Sequence, residues 1–155
     1  MLESLESSGF SVWLRESPSV WAYPTVLTLH TLGMGVLVGA SMAFDLRLLG
    51  IARVIPLGVL RMLFPVMWSG FCVNAVTGSM LFAANATTRA TSMVFLAKLS
   101  FVALGVATIV LLKRDVYAGT SDSVDVTPRA KLLAVASLLL WLAAITAGRL
   151  LAYLA

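Results

Sequence analysis

The sequence predicts an all-α membrane protein: a four-transmembrane-helix bundle preceded by a short N-terminal interfacial amphipathic helix. Of the 155 residues, 60% are hydrophobic and only 12% are charged, whereas soluble domains carry about 25% charged residues. Four windows hold at most one charged side chain each, and a helix of about 20 apolar residues spans the hydrocarbon core. The windows lack the alternating polarity of β-barrel strands. These observations exclude an ordinary cytosolic enzyme, a disordered chain and a disulfide scaffold.

The first element is predicted at about residues 2–16. Its apolar side chains, among them Leu2, Leu5, Phe10 and Trp13, are interspersed with serines and glutamates. This composition is typical of a helix that lies in the plane of the membrane interface. The segment begins with acidic residues and its apolar run comes late, so we do not expect it to be a secretory signal peptide.

The four spans follow, and the whole chain (1–155) is expected to form a single membrane domain. The charge-poor windows place the spans at about 22–44, 65–84, 93–112 and 132–153. Residues 56–64 form either a separate interfacial helix or the start of a long second span kinked at Pro65, and the sequence leaves both open. Residues 113–129 are the most hydrophilic stretch, and we expect a flexible solvent loop there.

The basic residues are distributed unevenly between the two sides of the membrane. Seven of the eleven lysines and arginines lie in the loops after the first and third spans, and cytoplasmic loops carry an excess of such residues. We therefore expect a bacterial cytoplasmic (inner) membrane protein with these loops inside and both termini on the outer side. At the inner end of the first span, Asp45 and Arg47 are expected to form an interfacial charge pair or to contact other helices.

Three basic side chains fall at a similar depth in the outer leaflet. His30 lies early in the first span, Lys98 early in the third, and Arg149 near the end of the fourth. An ionisable side chain at the centre of a span costs about 2.5–3.5 kcal/mol, and no acidic residue lies at this depth. The three residues therefore predict a site for an anionic ligand. Alternatively, the two long side chains reach the interface and His30 makes a packing hydrogen bond.

Two further side chains are candidate ligand contacts near His30. Met34 follows it by one turn on the same helix face, and thioethers suit Cu(I), so His30 is also a candidate metal ligand. Asn74 lies at mid-depth in the second span, where an amide can hydrogen-bond across helices. Gly35 and Gly39 have the small-xxx-small spacing that lets helices approach closely or leaves room for a flat cofactor.

The segments Trp21-Ala22-Tyr23-Pro24 and Asp45-Leu46-Arg47-Leu48-Leu49-Gly50, with His30 between them, resemble an uncharacterised family of small bacterial four-helix integral membrane proteins. The resemblance extends over nearly the whole chain. It implies the fold but no activity.

A looser resemblance is to the four-helix membrane protoporphyrinogen oxidase of bacteria and to copper-resistance D-type proteins. The matching positions are His30, Arg47, Pro65 and Lys98. The resemblance to the oxidase implies b-type haem held by His30. Because the chain has a single histidine, a second axial ligand would come from Met34, from Met80 or from a second protomer, or would be absent.

Three functions follow from these patterns and stay open. The first is a non-catalytic accessory or assembly membrane subunit. The second is a haem-b- or quinone-associated redox protein that uses His30 with Lys98 and Arg149. The third is a small transporter or copper-handling protein. Expected partners are the lipid bilayer, a quinone or haem, and a second copy or a partner subunit. Nucleic acid is not expected, since the sequence lacks a dense basic tract with interleaved aromatic residues.

Overall fold

The structure, a computed structural model, describes residues 1–19, 21–117 and 126–153, except for the side chain of Ala152. Within these ranges every regular element is a helix. In chain order the helices are α1 (Leu2–Glu6), α2 (Gly9–Glu16), α3 (Tyr23–Leu48), α4 (Leu57–Leu60), α5 (Leu63–Ala84), α6 (Ala86–Ala90), α7 (Met93–Tyr117) and α8 (Pro128–Tyr153). Four segments, namely α3, α4 with α5, α7 and α8, are long and apolar enough to cross a membrane. The predicted all-α four-helix membrane class is confirmed.

The long helices coincide with the predicted spans but extend past them at their charged ends. α3 ends at Leu48, α7 ends at Tyr117, and α8 begins at Pro128. The sequence windows end at the first charged residue, whereas a helix continues into the headgroup region, where basic side chains near its C-terminus are favourable. The expected solvent loop at 113–129 is therefore helical at both ends, and its middle, 118–125, lies outside the described residues.

Two predicted segments divide differently in the structure. The segment 2–16 forms two helices, because Ser7 and Ser8 interrupt it. The Ser8 hydroxyl accepts a hydrogen bond from the amide of Ser11 (3.3 Å) and thereby begins α2. The segment 56–64, which the sequence leaves open, contains the separate one-turn helix α4 and a turn that leads directly into α5.

The four long helices form two antiparallel hairpins. α3 packs closely on α5, α7 packs closely on α8, and the hairpins meet mainly along α3 and α8. A Cβ on Gly70 would lie 2.7 Å from the backbone nitrogen of Leu37, and Gly33 is placed almost as tightly. The backbones of α3 and α5 therefore touch, which requires glycine. Gly35 and Gly39 do not make this approach, because a Cβ at either would have nothing within 4 Å.

The two ends of the bundle differ in their polar residues. We call the end where α3 and α7 begin the histidine end, since it contains His30 and Lys98. We call the opposite end, where α5 and α8 begin, the basic end; it contains Arg61, Lys113 and Arg114. Between the ends lies the main apolar core, to which all four long helices contribute.

The helices α1 and α2, together the N-terminal cap, pack against the histidine end. They contact the last turns of α5 and the short helix α6. Leu14 is fully buried there beside Val26 and Ala84. Arg15 Nη1 donates to the carbonyl oxygen of Ala84 (3.0 Å), which places a cation at the C-terminus of α5, where it is favourable. The cap is thus held by both apolar and polar contacts.

A carboxylate makes the second polar contact of the cap. Glu6 accepts hydrogen bonds from the backbone amide and the hydroxyl of Thr87, in α6, and lies 3.6 Å from Arg15. These hydrogen bonds, the hydroxyl first, and then the charge of Arg15 hold the pKa of Glu6 below its usual value of 4.5. The cap therefore docks most firmly with Glu6 ionised.

Candidate functional site

His30, on α3, contacts α5 through a reciprocal pair of hydrogen bonds with Asn74. Its Nδ1 lies 3.1 Å from the carbonyl oxygen of Asn74 and 3.2 Å from the hydroxyl of Thr77. In return, the side-chain amide of Asn74 donates to the carbonyl oxygen of His30 (2.9 Å). The ring rests on Gly78, where a Cβ would lie 3.0 Å from Cε1. Each helix thus contributes both a side chain and a backbone carbonyl to the contact.

These contacts select one form of the imidazole ring. A carbonyl oxygen only accepts, so the bond to Asn74 requires the proton on Nδ1. In the neutral ring Nε2 then carries the free lone pair. In the part of the chain that the structure describes, both hydrogen bonds of the ring involve Nδ1. His30 therefore combines a helix–helix contact with a ring nitrogen, Nε2, that has no hydrogen-bond partner among the described residues.

Lys98, on α7, lies at the same end of the bundle and is half-buried. Its side chain passes Gly148 of α8, where a Cβ would stand 3.6 Å from Nζ. Lys98 is near enough to both His30 and Arg89 for their charges to interact. Arg89 Nη1 donates to the carbonyl oxygen of Leu151 (3.2 Å). The histidine end thus gathers an imidazole and two cations, which form no ion pair with an acidic side chain of the described residues.

Two other predicted site residues, Arg149 and Met34, are not gathered with His30 and Lys98. The Arg149 side chain is exposed, and its neighbour Gly148 is the residue that faces Lys98. Met34 is partly buried and packs against the main apolar core. No group of three or more His, Cys, Asp or Glu side chains that could hold a metal occurs among the residues described. As a metal ligand, His30 would therefore act as a single nitrogen donor.

A second polar cluster, which the sequence analysis does not identify, lies towards the basic end. Asp45 of α3 is completely buried, and its Oδ2 accepts from the hydroxyl of Ser41 at 3.5 Å. The Ser41 oxygen lies 3.4 Å from the hydroxyl of Ser137 and accepts a hydrogen bond from Trp141 Nε1 (3.0 Å). Asp45 Oδ1 is buried without a hydrogen-bond partner among the described residues. We call these four residues the Asp45 cluster; it joins α3 to α8.

The expected charge pair between Asp45 and Arg47 does not form. The Arg47 guanidinium instead donates to the carbonyl oxygens of Ile55 (2.7 Å) and Arg53 (3.0 Å), and so closes the turn after α3. The alternative expectation is a contact with other helices. It is met by Asp45, whose cluster joins α3 to α8. The sequence contains a signal for the burial of Asp45, because this residue shares the helical spacing of the buried apolar residues on α3.

Comparison with known proteins gives a family but no activity. The sequence matches no curated protein and no solved structure. Residues 18–154 match the model of a family of unknown function, DUF6644. The matched region includes α3 to α8, with His30, Lys98 and the Asp45 cluster, and leaves out the N-terminal cap. The membership in an uncharacterised family that the sequence motifs indicate is thereby confirmed: the chain belongs to the DUF6644 family.

Proposed function

We propose that the protein is a non-catalytic accessory or assembly subunit of a membrane complex. The observation that carries the proposal is the reciprocal hydrogen bonding of His30 and Asn74, which uses the single histidine of the chain to join two spans. The Asp45 cluster joins α3 to α8 in the same way. Polar side chains commonly hold membrane helices together by such bonds, so both clusters support a scaffold rather than a reaction centre.

The outer surface of the bundle supports a role in binding other membrane components. Large apolar side chains on the spans are exposed, among them Val76, Leu104 and Leu139. In a bilayer such side chains contact lipid or the helices of a partner subunit. The cap adds exposed Phe10 and Trp13, which suit a position at the interface.

The proposed setting is a bacterial cytoplasmic membrane with both termini on the outer side. The distribution of basic residues supports this orientation, because the basic end carries most of the lysines and arginines and such residues concentrate on the cytoplasmic side. The cap would then lie at the outer interface.

A native gel combined with cross-linking tests the accessory function. The protein is extracted from its own host membranes with a mild detergent, and a photo-reactive residue replaces Leu139 to record contacts within the membrane. We expect a discrete complex of constant composition and a cross-link to one partner subunit. Migration as the free chain or as a homo-oligomer alone, with cross-links only to lipid or to itself, would contradict it. A photo-reactive residue in place of the buried Leu37 is the control, since it reports contacts inside the chain.

A haem-b- or quinone-associated redox protein is the second candidate, favoured by the available Nε2 of His30 beside Lys98. A carbonyl bonded to Nδ1–H is a common means of orienting a histidine that binds metal through Nε2. Lys98 and Arg89 would pair with the propionates of a haem or with a quinol anion. Arg89 takes the place expected of Arg149, whose side chain is exposed.

Absorption and extraction tests separate this candidate from the first. Protein purified from its own host is expected either to show a Soret band that His30→Ala abolishes and Arg149→Gln preserves, or to release about one quinone per chain into organic solvent. A colourless preparation whose extract contains no quinone would contradict the redox function.

A small transporter or copper-handling protein ranks third. The Asp45 cluster supplies a polar group in the second half of the bundle, which favours a path. However, Ser41 lies eleven residues after His30 on α3, about 16 Å along the helix, and Leu37 and Val38 of the apolar core lie between them. Metal analysis of the purified protein tests the copper-handling function. This function requires that copper copurifies with the parent chain and is absent from His30→Ala.

A further inference from the structure

The two hairpins leave a seam between α5 and α7. Their backbones scarcely approach each other, and aromatic side chains bridge the gap near both ends. Phe82 and Phe95 stack at the histidine end, with ring centroids 5.4 Å apart, and Phe64 and Tyr117 meet edge to face at the basic end, at 5.8 Å. The middle of the seam is apolar and closed, because side chains that include Met67, Trp68, Phe71, Val106 and Ile109 fill it.

The seam opens at the basic end into a cleft of about 500 Å³. Residues of both helices line it, among them Arg61, Trp68, Ile109, Lys113, Arg114 and Tyr117. Trp68 and Ile109 belong to both the seam and the cleft. The basic side chains at the mouth of the cleft therefore adjoin an apolar wall formed by Trp68 and Ile109.

Aromatic rings hold two of the cations at the mouth. The Arg61 guanidinium lies 5.4 Å from the ring centroid of Tyr117, and Lys113 Nζ lies 5.7 Å from that of Phe64. The Tyr117 hydroxyl donates to the carbonyl oxygen of Leu57 (2.7 Å), which fixes the ring beneath Arg61. Such cation–π contacts orient a positive group without neutralising its charge.

No described acidic side chain compensates these charges. Among the described residues, Arg61, Lys113 and Arg114 take part in no ion pair, and the acidic residue next to them in sequence, Asp115, lies 3.9 Å from Arg129 instead. Three positive side chains therefore face one cleft at a membrane boundary. Basic pockets between transmembrane helices are suited to the headgroups of anionic lipids.

We propose that this cleft binds an anionic phospholipid of the surrounding leaflet. The phosphate contacts Arg61, Lys113 and Arg114, and one acyl chain lies against Trp68 and Ile109, the apolar wall of the cleft. The charge at the mouth of the cleft selects against zwitterionic lipids, and the apolar wall of the cleft distinguishes the site from one for free phosphate. The site is independent of His30, because it lies at the opposite end of the bundle.

Native mass spectrometry of the detergent-solubilised full chain tests this site. The protein is titrated with phosphatidylglycerol and with phosphatidylcholine of identical acyl chains. We expect at least one phosphatidylglycerol to bind more tightly than any phosphatidylcholine. Replacing Arg61, Lys113 or Arg114 by Gln is expected to raise its Kd about fivefold each, the equivalent of about 1 kcal/mol per cation near an anionic lipid.

Lys131→Gln is the matched control, because it removes a charge at the basic end of the bundle from a residue that is exposed and outside the cleft. Its Kd for phosphatidylglycerol is expected to stay unchanged. Equal weakening by Lys131→Gln would show a general charge effect and overturn the proposal. Equal affinity for both lipids would also overturn it.

Two further arms separate the headgroup from the acyl chain. Trp68→Ala is expected to weaken binding of long-chain phosphatidylglycerol more than of a short-chain analogue, and inorganic phosphate is expected not to compete. Competition by phosphate without any dependence on Trp68 would indicate a free-anion site and contradict the proposal. Arg114 is exposed, so Arg114→Gln keeps the test decisive even where a substitution at Arg61 disturbs folding.

Discussion

At the residue scale, the effect of removing a buried polar side chain depends on whether its hydrogen-bond partners are left unsatisfied. A hydrogen bond between transmembrane helices contributes about 0.6 kcal/mol on average and about 1.7 kcal/mol at most. Leaving a buried polar partner unsatisfied costs about 1–3 kcal/mol. Substitutions at the His30–Asn74 contact and in the Asp45 cluster therefore have different expected effects.

Asn74→Ala is expected to lower the free energy of unfolding by about 1 kcal/mol. It removes the amide that bonds to the His30 carbonyl, while the backbone carbonyl that accepts from Nδ1 remains. Reversible unfolding in mixed micelles measures the change. Ser79→Ala is the control, because the Ser79 hydroxyl bonds only within α5. An equal loss for both variants would show that the hydrogen bond from Asn74 to the His30 carbonyl contributes nothing to stability.

Asp45→Asn is expected to keep the free energy of unfolding unchanged or to raise it. The amide retains the shape of the side chain and an acceptor for Ser41, and it removes a carboxyl group that is completely buried without a cation in the described structure. A buried charge without a partner is costly. Asp45→Ala is expected to destabilise the bundle. The interpretation fails if the two variants lose equal stability in the same unfolding measurement.

At the scale of the elements, glycine determines how closely α3 and α5 approach. Gly70 faces the backbone of α3, whereas Gly35 faces open space. The two positions therefore provide a matched pair that separates helix contact from helix propensity.

Gly70→Ala is expected to lower the free energy of unfolding by about 1–3 kcal/mol, since the added methyl forces backbone shifts. Gly35→Ala is expected to be neutral or to stabilise by up to about 1 kcal/mol, because alanine favours the helix. Both are measured by unfolding in mixed micelles. Comparable destabilisation at the two positions would contradict the helix contact described here.

The N-terminal cap is expected to loosen in acid. The pKa of Glu6 is lowered in the docked state by its bonds to Thr87 and by Arg15. A lowered pKa means that the stabilisation is fully present above pH 4.5, the usual value, and is lost as the pH falls through the lower pKa of the docked state.

Fluorescence anisotropy of a label at Ser7→Cys, in a chain carrying Cys72→Ser, measures this loosening. The anisotropy is expected to fall as the pH drops below 4.5. Thr87→Val removes the hydroxyl donor and is expected to move the change to higher pH. A profile that Thr87→Val leaves unaltered would contradict a role for Glu6.

At the scale of the whole molecule, the sequence predicts the class and the spans because both depend on local composition. A helix needs about 20 apolar residues to span the hydrocarbon core, and each of the four windows is about that long. The helix ends are less predictable. Charged residues such as Lys113 end a hydrophobic window, but they do not end a helix.

The sites depend on rotation and register, which composition does not contain. Successive helical residues point about 100° apart, so depth alone does not distinguish the exposed Arg149 from Gly148, which faces Lys98. The contact of His30 with Asn74 follows from the hairpin register set at Gly33 and Gly70. The cleft that we propose to bind lipid depends on the distance between α5 and α7, which no local sequence pattern encodes.

Replacement of His30, the only imidazole in the chain, tests whether this side chain serves to hold α3 and α5 together. Gln can donate to the Asn74 carbonyl but cannot act as an imidazole, whereas Ala can do neither. We expect His30→Gln to preserve both the stability of the protein and the assembly of the membrane complex on a native gel, and His30→Ala to weaken both. A His30→Gln protein that unfolds like the parent chain yet loses a Soret band or a bound quinone would show that His30 binds a cofactor rather than only holding two helices together. Loss of the complex by this folded variant would likewise contradict a purely structural role for His30.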